Sequence, residues 1–405
     1  MTAFANTTRL HQVPILLSGL LLAGLYFPSS LGGHYSMMLW GVFFLLLVCA
    51  LLRLVLRQGG LAGYFQCANS MILLAILLAS TIISPFPEYR WGGLVGFAAL
   101  SLLYVTRLRD ITGSRLLQAA FLVANLMNVS AGIAVIVGND WIRNALINHY
   151  SAFYPGLLQA MMDGHKPVLS FGSHSTGAFF TYFFFFLSFE TYKLTRKSLD
   201  LWFSICYAGF CLAMQSFTGI SLFFVVVSQF GWFFGKRNLK ATITVTVLAA
   251  VSACLFVYHY LPRPEERNSA IQLVTMALSS ESNGFLGRFS GTGNLRATIE
   301  YFVDRPFAPV GVGYRSDLFF GDSGVIECFL RGSVFLVVAV YMGFYKFLKH
   351  NLLSQRDLIM LFVATLAFEM GFSSLTYIRS LYLLPVFIVY LNDLRRSAGE
   401  SSNPK

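Results

Sequence analysis

The sequence has little charge and none of the compact motifs of soluble enzymes. Only 12% of its 405 residues are Asp, Glu, Lys or Arg, whereas 56% are hydrophobic. It lacks a Walker phosphate loop, a dinucleotide-binding glycine fingerprint, an HExxH zinc motif and a GxSxG nucleophile elbow. These absences exclude the common nucleotide, zinc-protease and serine-hydrolase sites, and the composition indicates a membrane protein.

The cysteines lack the spacing of a metal site or of an extracellular disulfide framework. All six fall in apolar runs, so we interpret them as small core residues and expect neither a metal nor any other cofactor. The net charge of +11 does not indicate nucleic acid, because Lys and Arg gather in short loops, where they direct membrane topology. We expect no nucleic-acid partner and no removable signal peptide. The cysteines are Cys49, Cys67, Cys206, Cys211, Cys254 and Cys328.

Long apolar runs recur along the whole chain, and each could cross ~30 Å of hydrocarbon as a helix. They predict an all-α polytopic membrane protein, with a single transmembrane domain over 1–405 and about 12 helices. The predicted spans are 14–27, 35–56, 69–86, 91–106, 116–138, 172–190, 200–216, 218–235, 241–261, 324–345, 357–374 and 380–394.

Clusters of Lys and Arg occupy every second loop between these spans, which predicts that both termini are cytoplasmic. Two long loops, 139–171 and 262–323, then lie on the opposite, outer side. In the first, the segment 141–162 is predicted to form an amphipathic surface helix. In the second, 268–280 and 294–305 are predicted to form short helices, the latter capped by Asn294 and ended by Pro306.

The second long loop contains the best candidates for chemistry. Arginine remains charged at any working pH and binds phosphate through a planar pair of donors, so an arginine cluster predicts anion binding. The alternative is that these side chains only anchor to lipid head groups. Gly311–Gly313 is predicted to be a turn rather than a cofactor loop, and Asp322 lies just before the next span. The arginines of its stretch 287–323 are Arg288, Arg296, Arg305 and Arg315.

Charged residues within the predicted spans are costly and therefore informative. Glu327 and Arg331 lie four residues apart and can pair along one helix face. Glu369 is predicted at a similar depth on the next span, and Arg379 at the outer junction of the last two. We interpret Glu327, Arg331 and Glu369 first as a buried ion-pair network and second as catalytic groups.

The first long loop re-enters the membrane through a segment that holds Lys166 and His174, with Arg143 earlier in the loop. A histidine at such a position is either an interfacial hydrogen-bonding group or, beside an arginine-rich cleft, a general base.

The topology and the second loop resemble the O-antigen polymerase and ligase superfamily. The shared order in the loop is Arg288, Pro306, Gly311-Val312-Gly313, Asp322 and Gly332. The segments 167–180 and 214–222 resemble two further family segments. Phe217 stands where the family has an arginine, and Lys166 where it usually has another. Ligases of the superfamily usually carry a histidine where this chain has Asp322, so the aspartate favours a polymerase.

The resemblance implies a GT-C-like, metal-independent glycosyltransferase of the bacterial inner membrane whose active site faces the periplasm. It would transfer a glycan chain from undecaprenyl diphosphate to a sugar hydroxyl at the non-reducing end of a lipid-linked repeat unit. Its partners would be these lipid-linked glycans, membrane lipids, and a flippase and a chain-length regulator of the same pathway. The alternatives are a ligase that transfers the glycan to lipid A-core and, from another class, a membrane transporter or lipid-linked glycan flippase.

On this resemblance, Asp322 is the first candidate for the group that accepts the hydroxyl proton, and His174 is the second. The alternative role of Asp322 is to cap the tenth span. Arg288 is the first candidate for stabilising the diphosphate. The other predicted substrate-binding residues are Arg296, Arg315, Arg379, Lys166 and Arg143.

Overall fold

The computed structural model describes thirteen segments of the chain, and the fold is given for these alone. Predicted spans 35–56 and 241–261 lie outside them, as does most of the second long loop. The described residues are 14–22, 25–26, 61–89, 91–113, 115–150, 155–171, 174–214, 217–235, 296–305, 308–316, 318, 323–369 and 371–399.

The described residues are mostly helical, as the apolar runs predict. Residues 14–22 are also helical. The elements are α1 (Leu61–Ile82), β1 (Glu88–Tyr89), α2 (Trp91–Val105), α3 (Arg115–Val137), α4 (Asp140–Tyr150), α5 (Pro155–Asp163), a 3-10 turn (Leu169–Phe171), α6 (His174–Thr195), α7 (Ser198–Ala213), α8 (Phe217–Gly235), α9 (Arg296–Asp304), β2 (Gly313–Tyr314), α10 (Gly324–Asn351), α11 (Gln355–Glu369) and α12 (Ile378–Ser397).

Two of these helices are long and apolar enough to cross a membrane, α3 with 23 residues and α10 with 28. This agrees with an all-α membrane protein, while the predicted number of spans stays a prediction. One feature departs from the all-α expectation. The two-residue strands β1 and β2 pair antiparallel, with Glu88 opposite Tyr314 and Tyr89 opposite Gly313.

The chain forms two compact units, Met1–Ala124 with Ala297–Lys405, and Asn125–Arg296. In the first unit, α10 packs against α1, α2 and α11, and α12 packs against α2. A buried ion pair joins α11 to α12, since Arg395 donates from Nε and Nη2 to the Asp357 carboxylate at 2.9 and 2.6 Å.

In the second unit, α6, α7 and α8 pack on one another. The phenylalanine-rich helix α6 is buried almost all round, as expected for a helix that is apolar on every face. Its Tyr182 hydroxyl accepts a hydrogen bond from Gln229 of α8 at 2.9 Å. In the first long loop the predicted single amphipathic helix is instead two helices, α4 and α5, whose Ile147 and Leu158 share a small core with Val135.

The helix α10 is broken in the middle. Gly332 has φ −151° and ψ 22°, and Ser333 has φ 59° and ψ −165°, so neither residue is helical. A break of this kind leaves backbone groups without their intrahelical partners, and such groups must be satisfied by other parts of the protein. In this protein, the hydrogen-bond partners of the freed backbone carbonyls lie in the candidate site described below.

Candidate functional site

The segment 308–316 of the second long loop lies against the break in α10. The amide of Val310 donates to the carbonyl of Leu330 at 2.9 Å, and the amide of Gly311 donates to the carbonyl of Arg331 at 2.9 Å. These are carbonyls that an unbroken helix would pair with its own later amides. The loop therefore replaces the hydrogen bonds that the helix loses at Gly332 and Ser333.

The guanidinium of Arg331 holds the loop in place from the helix side. Its Nε donates to Glu327 Oε1 at 2.9 Å, and its Nη1 donates to the carbonyl of Gly311 at 3.0 Å. Both charged residues are buried, at 5% exposure for Arg331 and 8% for Glu327. The predicted pairing of these two residues is confirmed, and Arg331 also holds the loop, because it donates to both the Glu327 carboxylate and the Gly311 carbonyl.

The same loop is held on its other side by α1. The amide of Val312 donates to Thr81 Oγ1 at 3.1 Å. Gly311 has φ +57°, and a Cβ placed on it would lie 2.3 Å from the backbone nitrogen of Thr81. A Cβ on Gly313 would lie 2.4 Å from Ser84 Oγ. The glycines thus permit a close approach of the loop to the end of α1 and to Ser84. The predicted turn is confirmed at Gly311 and Val312, whereas Gly313 begins β2.

Beneath the loop is a small apolar core that holds an exposed arginine. Phe86 and Tyr301 lie with ring centroids 5.6 Å apart. The guanidinium of Arg315 stacks over both rings, 5.4 Å from the centroid of Phe86 and 5.7 Å from that of Tyr301. A cation–π contact holds a guanidinium against an aromatic surface through electrostatic attraction to the ring faces. We call Phe86, Tyr301 and Arg315 the arginine platform. Val310, Leu318 and Leu330 complete the core beneath it.

A second arginine of the loop lies near the platform. The hydroxyl of Tyr301 donates to the carbonyl of Ala308 at 2.8 Å, which ties α9 to the loop. Burial raises the pKa of Tyr301, and the positive charges of Arg305 and Arg315 oppose that rise. Both guanidinium groups therefore act on one phenol, and both residues are exposed. A doubly cationic patch beside an aromatic surface is suited to an anion with an apolar neighbour.

Glu369 does not belong to the ion-pair network that was expected to include it. Its Oε1 accepts from Ser374 Oγ at 2.6 Å and from the Leu375 amide at 2.7 Å, and its Oε2 accepts from the Tyr341 hydroxyl at 2.8 Å. The predicted span 357–374 is therefore too long at its end. Helix α11 stops at Glu369, whose carboxyl organises the turn that follows.

Glu369 also faces the start of α10. A Cβ on Gly324 would lie 1.7 Å from Glu369 Oε2, so this carboxyl occupies the space that only a glycine leaves open.

The cap of α10 is Ser323, not Asp322. Ser323 Oγ accepts from the Ile326 amide at 3.4 Å and donates to the carbonyl of Glu369 at 3.1 Å. The alternative reading of Asp322 as the cap is therefore wrong, because the neighbouring residue fills that position. Asp322 and Arg288 themselves lie outside the described residues.

The other predicted arginines of this half of the chain occupy different positions. Arg296 is the first residue of α9 and Arg305 follows its last, which places them roughly 13 Å apart along the helix axis. Arg379 lies in the first turn of α12 and is 2% exposed. Arg305 and Arg315 both contribute positive potential at the Tyr301 phenol, and Arg315 also contacts its ring.

The candidates in the second unit have local partners. Arg143 on α4 pairs with Asp140 at 3.1 Å and also with Asp163, at the end of α5. Lys166 is half-buried after α5, and burial lowers its pKa. His174 is the first residue of α6. Arg143 is thus already neutralised by two carboxylates, which makes it the weakest of the predicted substrate-binding residues.

Sequence reasoning missed the aromatic residues of the arginine platform. Phe86 follows α1, whereas Tyr301 lies more than 200 residues later on α9. Nothing in either local sequence marks them as partners. The contact between Phe86 and Tyr301 depends on the return of the loop to α1. The sequence feature that indicates this return is the pair of glycines at 311 and 313.

No protein-family model matches this chain, and no curated protein and no solved structure is significantly similar to it.

Proposed function

We propose that this chain is a surface-glycan polymerase of the O-antigen type. It transfers an undecaprenyl-diphosphate-linked glycan chain to the sugar hydroxyl at the non-reducing end of a lipid-linked repeat unit, without a metal. The observation that carries the proposal is the arginine platform, in which exposed Arg315 stacks on Phe86 and Tyr301. The resemblance of the second long loop to this superfamily supplies the substrate class.

The chemistry of the leaving group requires fixed positive charge. As the glycosidic bond to the lipid breaks, negative charge develops on the departing diphosphate, and preorganised donors stabilise it without reorganising. Arg315 lies over two aromatic rings, and its loop is hydrogen-bonded to both α1 and α10. This combination of an exposed guanidinium with a rigid support favours transition-state stabilisation over loose attachment to lipid head groups.

A proton acceptor for the attacking hydroxyl is the second requirement. Asp322 is the first candidate, because the resembled superfamily keeps its distinguishing residue at this position. His174 is the second candidate. Arg288 remains the proposed first contact to the diphosphate, and Arg296 and Arg315 of the same loop are proposed as further contacts.

The proposal places the chain in the bacterial inner membrane, with both termini cytoplasmic and loops 139–171 and 262–323 in the periplasm. The apolar lengths of α3 and α10 support a membrane location. The partners would be lipid-linked glycans, membrane lipids, and a flippase and a chain-length regulator.

The deciding experiment identifies the species that accumulates on undecaprenyl diphosphate when the gene is deleted. Single repeat units are expected for a polymerase. Accumulation of long chains would make the protein a ligase, and no change in the lipid-linked pool would remove it from the pathway.

Complementation then tests the platform itself. Arg315→Ala should lower repeat-unit extension about 100-fold, the usual effect of losing one preorganised donor. Arg315→Lys should recover only part of this, since lysine keeps the charge but not the planar fork. Arg356→Lys on α11, an exposed arginine outside the platform, is the matched control and should extend normally. Normal extension by Arg315→Ala at equal expression would remove Arg315 from the site.

A further inference from the structure

A cavity of about 390 Å³ opens near the C-terminal end of α10, whereas the arginine platform lies beside the N-terminal half of the same helix. Its walls come from α1, α2 and α10. The volume lies within the range of about 300–1,000 Å³ that is usual for small-molecule sites. The residues that line the cavity include none of those proposed for glycan transfer. The cavity is therefore not part of that proposed site.

The lining combines positive charge with aromatic surface. Lys346, Lys349 and His350 provide nitrogen donors, and all three are exposed. Lys346 Nζ donates to Asn69 Oδ1 of α1 at 3.2 Å, which orients one ammonium group at the cavity wall. Among the residues that line the cavity, none is acidic. From the sequence alone, these lysines would be interpreted as residues that direct membrane topology. That role requires only their charge and does not account for a cavity beside them.

Two further basic residues strengthen the field. Arg107 and Arg109 follow α2, and both contribute positive potential at His350. The apolar part of the wall is aromatic, from Tyr104, Tyr345 and Phe347. The Tyr104 hydroxyl is bonded to the carbonyl of Val340 at 2.6 Å. The cavity thus offers two ammonium groups, from Lys346 and Lys349, and the imidazole of His350 above an apolar wall.

We propose that this cavity binds the phosphate group of an anionic ligand. A phosphate ester matches the cluster of nitrogen donors, and an apolar neighbour of the phosphate matches the aromatic wall. Two sources share this chemistry, the head group of an anionic phospholipid and free inorganic phosphate. The site is independent of the proposed glycan transfer, and its test does not require that activity.

The test measures binding to purified wild-type protein in a neutral detergent. Phosphatidylglycerol, phosphatidylcholine and inorganic phosphate are titrated separately, and dissociation constants are obtained by native mass spectrometry or thermophoresis. Phosphatidylglycerol is expected to bind at least about tenfold more tightly than phosphatidylcholine, because two or more cations favour the net negative head group.

Variants locate the site. Lys346→Gln and Lys349→Gln should each weaken binding of phosphatidylglycerol about fivefold, and the double variant about 25-fold. Arg356→Gln removes one positive charge from an exposed residue of α11 outside the cavity and should leave binding unchanged. An equal loss in Arg356→Gln would overturn the proposal, because general surface charge would then explain the affinity.

The wild-type titrations distinguish the two sources of the phosphate group. Binding of inorganic phosphate with no preference between the two lipids supports the phosphate site and assigns it a soluble source. Equal binding of the two lipids together with no binding of phosphate refutes it.

Discussion

Replacing Gly311 with alanine tests whether the second long loop is held as the structure indicates. Gly311 has φ +57°, a left-handed conformation that costs a residue with a Cβ about 1–2 kcal/mol. The new Cβ would also lie 2.3 Å from the nitrogen and 2.4 Å from the Cα of Thr81. Both are backbone atoms of α1, so they cannot rotate away as the end of a side chain could.

The loop can relieve this clash only by lifting from α1 and α10. Lifting breaks the bond from the Gly311 amide to the Arg331 carbonyl, the bond from Arg331 Nη1 to the Gly311 carbonyl, and the bond from Val312 to Thr81. Each contributes about 1 kcal/mol net. If the loop stays in place, the variant retains the backbone strain and the clash, and if the loop lifts, the variant loses these hydrogen bonds. In either case we expect Gly311→Ala to destabilise the protein by about 2–4 kcal/mol.

The assay is thermal unfolding of the purified protein in detergent, read as an apparent midpoint because such unfolding is often irreversible. The matched control is Gly209→Ala on α7, where the added Cβ meets nothing within 4 Å. That change should be neutral or should stabilise by up to about 1 kcal/mol, the helix preference of alanine over glycine. If Gly311→Ala unfolds at the same temperature as Gly209→Ala, the contact between the loop and α1 is wrong.

Three further predictions concern the same half of the chain and its topology. Glu327→Ala should destabilise the protein by about 3–5 kcal/mol, because it leaves a buried arginine uncompensated; a midpoint close to wild type would show that the pair is dispensable. Asp322→Asn should abolish extension of a purified lipid-linked repeat unit without changing stability, whereas Ser323→Ala should lower stability by about 1 kcal/mol through loss of the cap. Retained extension in Asp322→Asn would pass the role of base to His174. Reporter fusions at Gly291 and Asn238 should report opposite compartments, and agreement between them would refute the predicted topology.

The positions of the helices could be predicted because they depend on local information. A run of apolar residues forms a helix wherever its backbone must satisfy its own hydrogen bonds. The starts of α8, α10 and α12 therefore fall within two residues of the predicted ones. The short helix α9 also lies within its predicted segment and ends before Pro306.

The site was less predictable because its contacts join distant parts of the chain. The pair Glu327 and Arg331 was visible as an i,i+4 spacing, but the second contact of Arg331, to the Gly311 carbonyl, was not. Thr81 and Val312 are 231 positions apart, and neither has a local pattern that identifies the other. For Glu369 the sequence predicted a contact that is not found. Its similar depth on a neighbouring span suggested an ion pair, whereas its carboxylate accepts hydrogen bonds from the turn that follows α11.

The break in α10 and the loop that carries Arg315 form one structural unit. A buried backbone carbonyl that has no hydrogen-bond partner costs about 1–3 kcal/mol. The non-helical residues Gly332 and Ser333 are therefore tolerated only while Val310 and Gly311 donate to the carbonyls of Leu330 and Arg331. Ser333 is held at φ 59°, a conformation that costs a non-glycine residue about 1–3 kcal/mol and persists only where its surroundings enforce it. The loop and the break therefore depend on each other. A change that frees the loop also relaxes the helix at Ser333, and a change that relaxes the helix there also displaces the loop that carries Arg315.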